Sequence, residues 1–101
     1  MTLTFGVIGA GRIGQLHINY LRTHKDVKIK WISDLYCDKM EDWIKKAGIE
    51  NKTKDHMDII NDPEVDVVVI CSPTDTHVDI IKEACAKGKH IFCEKPISLS
   101  I

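Results

Sequence analysis

Apolar positions along the 101 residues recur with two periods, close to two and close to 3.6, and the switches between them lay out alternating strands and helices. The chain opens on Thr2-Leu3-Thr4-Phe5-Gly6-Val7-Ile8, a short run rich in strand formers. Ile13, Leu16, Tyr20 and Leu21 then fall at helical spacing and predict an amphipathic helix to about Thr23, with His17, Asn19 and His24 as surface polars. Val27-Lys28-Ile29-Lys30-Trp31-Ile32-Ser33 predicts a second strand, with Val27, Ile29 and Trp31 on one face and Lys28, Lys30 and Ile32 on the other. A parallel strand covered on both sides reads as apolar throughout, so the lysines predict that one face here is partly exposed.

Asp38-Lys39-Met40-Glu41 has the form of an N-cap with a capping box, and Gly48 that of a C-cap, which brackets a helix through Trp43-Ile44-Lys45-Lys46-Ala47. Asn51-Lys52-Thr53-Lys54 has almost no apolar content and fits a weak third strand or a loop. A short helix from about His56 to Ile60 leads to the turn signal Asp62-Pro63. Val65-Asp66-Val67-Val68-Val69-Ile70-Cys71 is β-branched almost throughout, as a central parallel strand should be. Thr74 then caps a helix from Asp75 to about Lys87, with Val78, Ile81, Ala84 and Cys85 as its apolar stripe and Gly88 as its stop. Lys89-His90-Ile91-Phe92-Cys93 is the fifth strand. This alternation, free of repeats, low-complexity tracts and linkers, predicts an α/β domain over residues 1–101. Its core is a doubly wound parallel sheet in the order 3-2-1-4-5, with right-handed crossovers.

Composition narrows the function classes. An apolar content of 44% in 101 residues suits one domain rather than two. Fourteen Lys and Arg nearly balance fifteen Asp and Glu, which makes nucleic acid and anionic membranes poor partners. The first residues run straight into a strand, with no signal peptide evident, and no apolar stretch approaches membrane-spanning length. Cys37, Cys71, Cys85 and Cys93 form no CxxC pair and sit in or beside apolar segments. They read as reduced thiols of a cytoplasmic protein, with no metal site, and Cys71 and Cys93 as small buried side chains at two strand ends.

The chemistry lies where the first strand meets Gly9-Ala10-Gly11-Arg12-Ile13-Gly14. Gly9 permits a tight turn, Gly11 lets backbone amides approach a pyrophosphate, and Gly14 removes a Cβ so that the next helix can pack on the strand. The helix start presents unpaired N–H groups and the positive end of its dipole to the anion. Three glycines at this spacing also occur in ordinary loops, so the context decides. Asp34 stands twenty residues after Gly14, directly after the second strand, where a dinucleotide fold places the carboxylate that binds the adenosine ribose hydroxyls. Asp34 would repel a 2′-phosphate, and Leu35, Tyr36 and Cys37 offer no arginine to receive one, which predicts NAD rather than NADP.

With these motifs in order, followed by Cys71-Ser72-Pro73-Thr74-Asp75-Thr76-His77 and by Glu94-Lys95-Pro96 at the next strand end, the chain resembles the glucose–fructose oxidoreductase / inositol dehydrogenase / MocA (Gfo/Idh/MocA) family over essentially its whole length. Within it, Glu-Lys-Pro-Ile-Ser-Leu is most similar to the inositol 2-dehydrogenases. The resemblance implies that Glu94 and Lys95 lie beside the nicotinamide ribose, that Lys95 is catalytic and reaches the substrate hydroxyl, and that Pro96 fixes the turn. It also implies that Ser72, Pro73, Thr74 and His77 line the cofactor's central and nicotinamide portions, while Arg12 and Ile13 belong to the glycine loop. A lysine at a sheet's carboxyl edge suits that chemistry, since it can hydrogen-bond a substrate oxygen as a proton leaves.

Members of that family continue into a larger α/β domain that supplies the substrate pocket. The resemblance thus implies a truncated oxidoreductase: the NAD-binding part of an enzyme acting on a secondary alcohol of a cyclitol or sugar, inactive alone and prone to self-association through the bare surface. The alternative is a non-catalytic NAD-binding sensor or regulatory module.

Overall fold

A computed structural model describes residues 2–9, 12–71 and 77–93. Five strands, β1 (Leu3–Ile8), β2 (Val27–Ser33), β3 (Asn51–Thr53), β4 (Val67–Ile70) and β5 (His90–Cys93), pair in parallel in the order β3-β2-β1-β4-β5. Between them run α1 (Arg12–Leu21), α2 (Glu41–Ala47), α3 (Met57–Ile60) and α4 (His77–Ala86). The sheet separates two apolar clusters. On one face Ile18 of α1 and Ile44 of α2 pack with Val7, Ile29, Ile32 and Val69. On the other, Ile59 and Ile60 of α3 and Ile80 and Ala84 of α4 pack with Ile8, Val68 and Ile70. The expected doubly wound sheet and its strand order are both observed.

The two-faced reading of β2 requires correction. Its register with β1 slips between Phe5 and Gly6: Phe5 stands opposite Ile29 and Gly6 opposite Trp31, which leaves Lys30 as an extra residue. The bulge reverses the alternation beyond it. Ile29 and Ile32 therefore share one cluster, while Trp31 joins the other. Lys30 is not a solvated lysine but the centre of a polar knot. Its ammonium lies 2.7 Å from Asp62 Oδ2 and 2.7 Å from Glu64 Oε1, and the Trp31 indole donates to Asp62 Oδ2 at 2.8 Å. Lys89 closes the same turn by donating to the carbonyls of Asp62 (2.6 Å) and Val65 (2.7 Å).

Burial of Asp62 disfavours its charge, yet hydrogen bonds from Lys30, Trp31 and the Glu64 amide outweigh that and hold the carboxyl at about 2, below the usual 3.8. A carboxyl depressed on folding contributes stability that is complete above its unfolded value and is lost as pH falls through the folded one. Unfolding free energy is therefore expected to drop between about pH 4 and pH 2, and Asp62→Asn to flatten that drop while lowering stability near pH 7. Urea denaturation at the three pH values checks this, and an unchanged acid slope in the variant would refute it.

Other local readings shift for identifiable reasons. Asp38 is not an N-cap: Cys37–Met40 forms a 3-10 turn, α2 starts at Glu41, and neither start has a side-chain cap. Asp38 and Glu41 instead bind Lys52 at 3.2 and 2.6 Å, which ties this turn to β3 and helps a strand of low intrinsic propensity to form. Gly48 does cap α2, at φ 76°, with backbone bonds returning to the last turn. Among the described side chains of α1 the buried positions are Gly14 and Ile18, while Leu16 and Tyr20 are exposed and His17 is half-buried, its ring edge against Phe92 (centroids 5.4 Å apart); the Ile13 side chain lies outside those described. Among the described side chains of α4 the buried ones are Ile80 and Ala84, with Ile81 half-buried and Cys85 exposed; the Val78 side chain lies outside those described. Cys71 is half-buried rather than buried, and Cys37 is buried.

Candidate functional site

The strands end in step at one edge. Ile8 of β1 lies opposite Ser33 of β2 and Ile70 of β4, so the residues that follow, Gly9, Asp34 and Cys71, leave the sheet side by side. Backbone bonds continue the ladder one step further: Gly9 N–H donates to Ser33 O at 2.7 Å, Cys71 N–H to Ile8 O at 2.8 Å, and Asp34 N–H to Thr53 O at 3.0 Å. Between β1 and β4 the strand order reverses direction. Open α/β sheets bind ligands in the crevice outside the carboxyl ends at that reversal.

Gly9 makes the exit turn at φ 92°, a conformation that disfavours any side chain. Arg12 and Ile13 then open α1. A Cβ placed on Gly14 would stand 2.2 Å from Gly9 O and 3.1 Å from Gly9 C, with Cys71 Cβ at 3.6 Å. The helix start therefore lies directly on the strand exit because Gly14 has no side chain. The helix-start amides thus stand beside the strand exit, a cradle suited to an anion such as a diphosphate.

Asp34 is half-buried, and its Oδ1 accepts the Tyr36 N–H at 2.8 Å. Its carbonyl accepts the Cys37 N–H at 3.2 Å, so the acid shapes the turn that follows β2. Leu35 and Tyr36 extend from this turn and are exposed. The 3-10 turn returns Lys39 over the Tyr36 ring, with Nζ 5.6 Å from the centroid. Reading only the three residues after Asp34 misses this lysine. The i to i+3 fold-back that brings it near has no distinctive composition, and the bond from Lys39 N–H to Tyr36 O at 3.0 Å shows it only in three dimensions.

The structure thus brings Gly9, Gly14 and Asp34 together at one edge, with Arg12 and Ile13 at the head of α1 and His77 at the head of α4. Gly11, Ser72, Pro73, Thr74, Glu94, Lys95 and Pro96 lie outside the described residues. Among the described residues no three His, Cys, Asp or Glu side chains are placed to hold a metal ion, and no helix is long and apolar enough to cross a membrane.

Comparison with known proteins extends the geometry. Residues 3–101 match the model of the Gfo/Idh/MocA family, described as an oxidoreductase family with an NAD-binding Rossmann fold. The chain is 47% identical over 96 residues to an uncharacterized oxidoreductase, YrbE, of Bacillus subtilis, covering 95% of this chain and 28% of that protein. It is 44% identical over 100 residues to a myo-inositol 2-dehydrogenase of Thermotoga maritima, covering 98% of this chain and 30% of the relative. The crystal structure of a Lactobacillus casei scyllo-inositol dehydrogenase with bound NAD(H) and scyllo-inositol superposes with a TM-score of 0.89 at 31% identity, over 99% of this chain and 30% of that one. The chain therefore spans less than a third of the length of these relatives.

Proposed function

Because the chain belongs to the Gfo/Idh/MocA oxidoreductase family and carries its NAD-binding Rossmann fold, we propose that it is the cofactor-binding part of a dehydrogenase acting on a secondary alcohol of a cyclitol or sugar. The observation that carries this reading is the cradle itself: Gly9 at positive φ, Gly14 seated on its carbonyl, and Asp34 at the neighbouring strand end. Such residues fit the diphosphate and ribose of NAD, which when bound supplies the hydride acceptor. Relatives named as inositol dehydrogenases support the substrate class.

In this proposal the amides from Gly9 through Gly14, including those of Gly11, Arg12 and Ile13, orient the diphosphate, and Asp34 fixes the ribose by accepting from its hydroxyls. Ser72, Pro73, Thr74 and His77 line the central portion, and Glu94 and Pro96 set the nicotinamide end. Lys95 holds the substrate hydroxyl and stabilises charge as its proton departs. The 101-residue chain binds NAD weakly and turns over no substrate, because hydride transfer needs a second wall that holds the alcohol against the ring. Calorimetric titration with NAD, alongside an assay with myo-inositol, tests this. Weak saturable binding without turnover is expected, whereas no detectable binding at millimolar NAD would refute it. Tight affinity for NAD, with no gain on adding a substrate domain, would favour a sensor role instead.

Exposed Leu16 and Tyr20 on α1, with exposed Phe92 on β5, make self-association part of the same proposal. A monodisperse monomer in concentrated sedimentation runs would exclude it.

A further inference from the structure

One ring contact spans α1 and β5, and nucleotide binding as proposed does not use it. Among the described residues β5 closes the sheet and pairs with β4 alone, so its exit is tied on one side. Its side chains alternate between the faces: Ile91 packs into the cluster that α3 and α4 complete, whereas Phe92, opposite Val69, turns to the face that α1 covers. There its ring stays 50% exposed and meets the imidazole of His17, with centroids 5.4 Å apart and planes at 67°, an arrangement that aromatic quadrupoles favour. His17 is half-buried in the second turn of α1. It follows Arg12 by five residues, which puts it roughly 7 Å along the helix axis from the turn assigned above to the diphosphate. Phe92 is the last residue but one of β5, and Glu94 and Lys95 follow that strand directly in sequence.

Resting on the nucleotide reading above, we infer that His17 is a positioning residue for the nicotinamide end of that site: through Phe92 it fixes where β5 leaves the sheet relative to the helix that holds the diphosphate. A strand end with few buried contacts opens more readily than the core, and the residues that follow it move with it. Backbone bonds close every turn of α1, so its first two turns move as one body. A ring seated on the second turn therefore sets the distance between the strand exit and the first turn. NAD joins its diphosphate to its nicotinamide ribose covalently, so that distance decides whether the ribose meets the chain after β5 once the diphosphate is seated. His17 touches neither end of the cofactor in this scheme and acts through Phe92.

The two ends of the cofactor can be read separately. ADP-ribose carries the adenosine and the diphosphate without the nicotinamide, whereas the emission of bound NADH reports the surroundings of the nicotinamide ring. ADP-ribose affinity by calorimetry, and NADH emission extrapolated to saturation, are to be measured on wild type, His17→Ala, His17→Phe and Phe92→Leu. Wild type is expected to bind both ligands and to change the emission of NADH. His17→Ala should keep its ADP-ribose affinity within about twofold and lose at least about half of the emission change, and His17→Phe, which restores an aromatic ring, should regain it. Should His17→Ala fail to fold, Phe92→Leu, which removes only an exposed ring, carries the same expectation. A full emission change in His17→Ala or Phe92→Leu, or none in wild type, overturns the inference while leaving the nucleotide site intact. A matching fall in ADP-ribose affinity also overturns it, since His17 would then support the helix alone. Failure of wild type to bind either ligand overturns the nucleotide reading and this inference together.

Discussion

Gly14→Ala is expected to raise the dissociation constant for NAD at least tenfold and to destabilise the fold by about 1–3 kcal/mol, the range for forcing extra volume into a packed contact. The added Cβ would lie 2.2 Å from Gly9 O, where real Cβ contacts essentially never fall below 3.0 Å. The atom in the way is backbone rather than the end of a mobile side chain, so relief requires α1 to move off the strand exit. Because that exit is the turn whose amides would face the diphosphate, the same displacement spoils binding. Gly48→Ala is the useful contrast. Nothing lies within 4 Å of its Cβ position, and its strain comes from φ +76° alone. It should cost about 1–2 kcal/mol in urea denaturation and leave the NAD affinity unchanged. Wild-type NAD binding by Gly14→Ala would show that the helix start is not part of a phosphate site.

Asp34→Ala should weaken NAD by about thirtyfold, corresponding to roughly 2 kcal/mol for hydrogen bonds between ribose hydroxyls and a charged acceptor. Two effects combine in it. The carboxylate no longer accepts from the ribose, and the Tyr36 N–H loses the Oδ1 that bends the chain after β2. Asp34→Asn separates them: its amide oxygen can still bind the Tyr36 N–H, so affinity lost in Asn as well as Ala belongs to the charge. An ADP-ribose titration should reproduce the loss, since that fragment retains the adenosine ribose, whereas equal affinity of all three proteins for NAD would remove Asp34 from the site.

Much of this molecule was readable along the chain. The Val67–Ile70 strand lies inside the sheet, between β1 and β5, because its β-branched run has no polar face to expose, and Gly9 and Gly14 stand at the end of a strand and in the first turn of a helix as their spacing demands. Asp34 likewise follows β2 directly. Errors arose where hydrophobicity stood in for contact. Leu16 and Tyr20 are the conspicuous apolar residues of α1, yet the packed side is the one with Gly14, where absence of a side chain brings helix and strand together. Of the β2 lysines that mark a partly exposed face, Lys28 is exposed as expected, whereas a bulge turns Lys30 toward Asp62 and Trp31 toward the opposite cluster. Asn51–Thr53 could not declare itself a strand, because its stability comes from Trp31–Ser33 alongside it and from Lys52 reaching the acids of another segment.

The division follows the range of the forces involved. Element type, strand sequence and the glycine turn after β1 depend on neighbours a few residues apart, through backbone conformation, periodicity and the preference of glycine for tight turns, and these were legible in the order of amino acids. The bulge at Lys30, the side of α1 that faces the sheet and the placement of Lys39 over Tyr36 come from folding back and from register between residues brought together by packing. One slipped position in a strand exchanges inside for outside, and no local pattern records where that slip occurs.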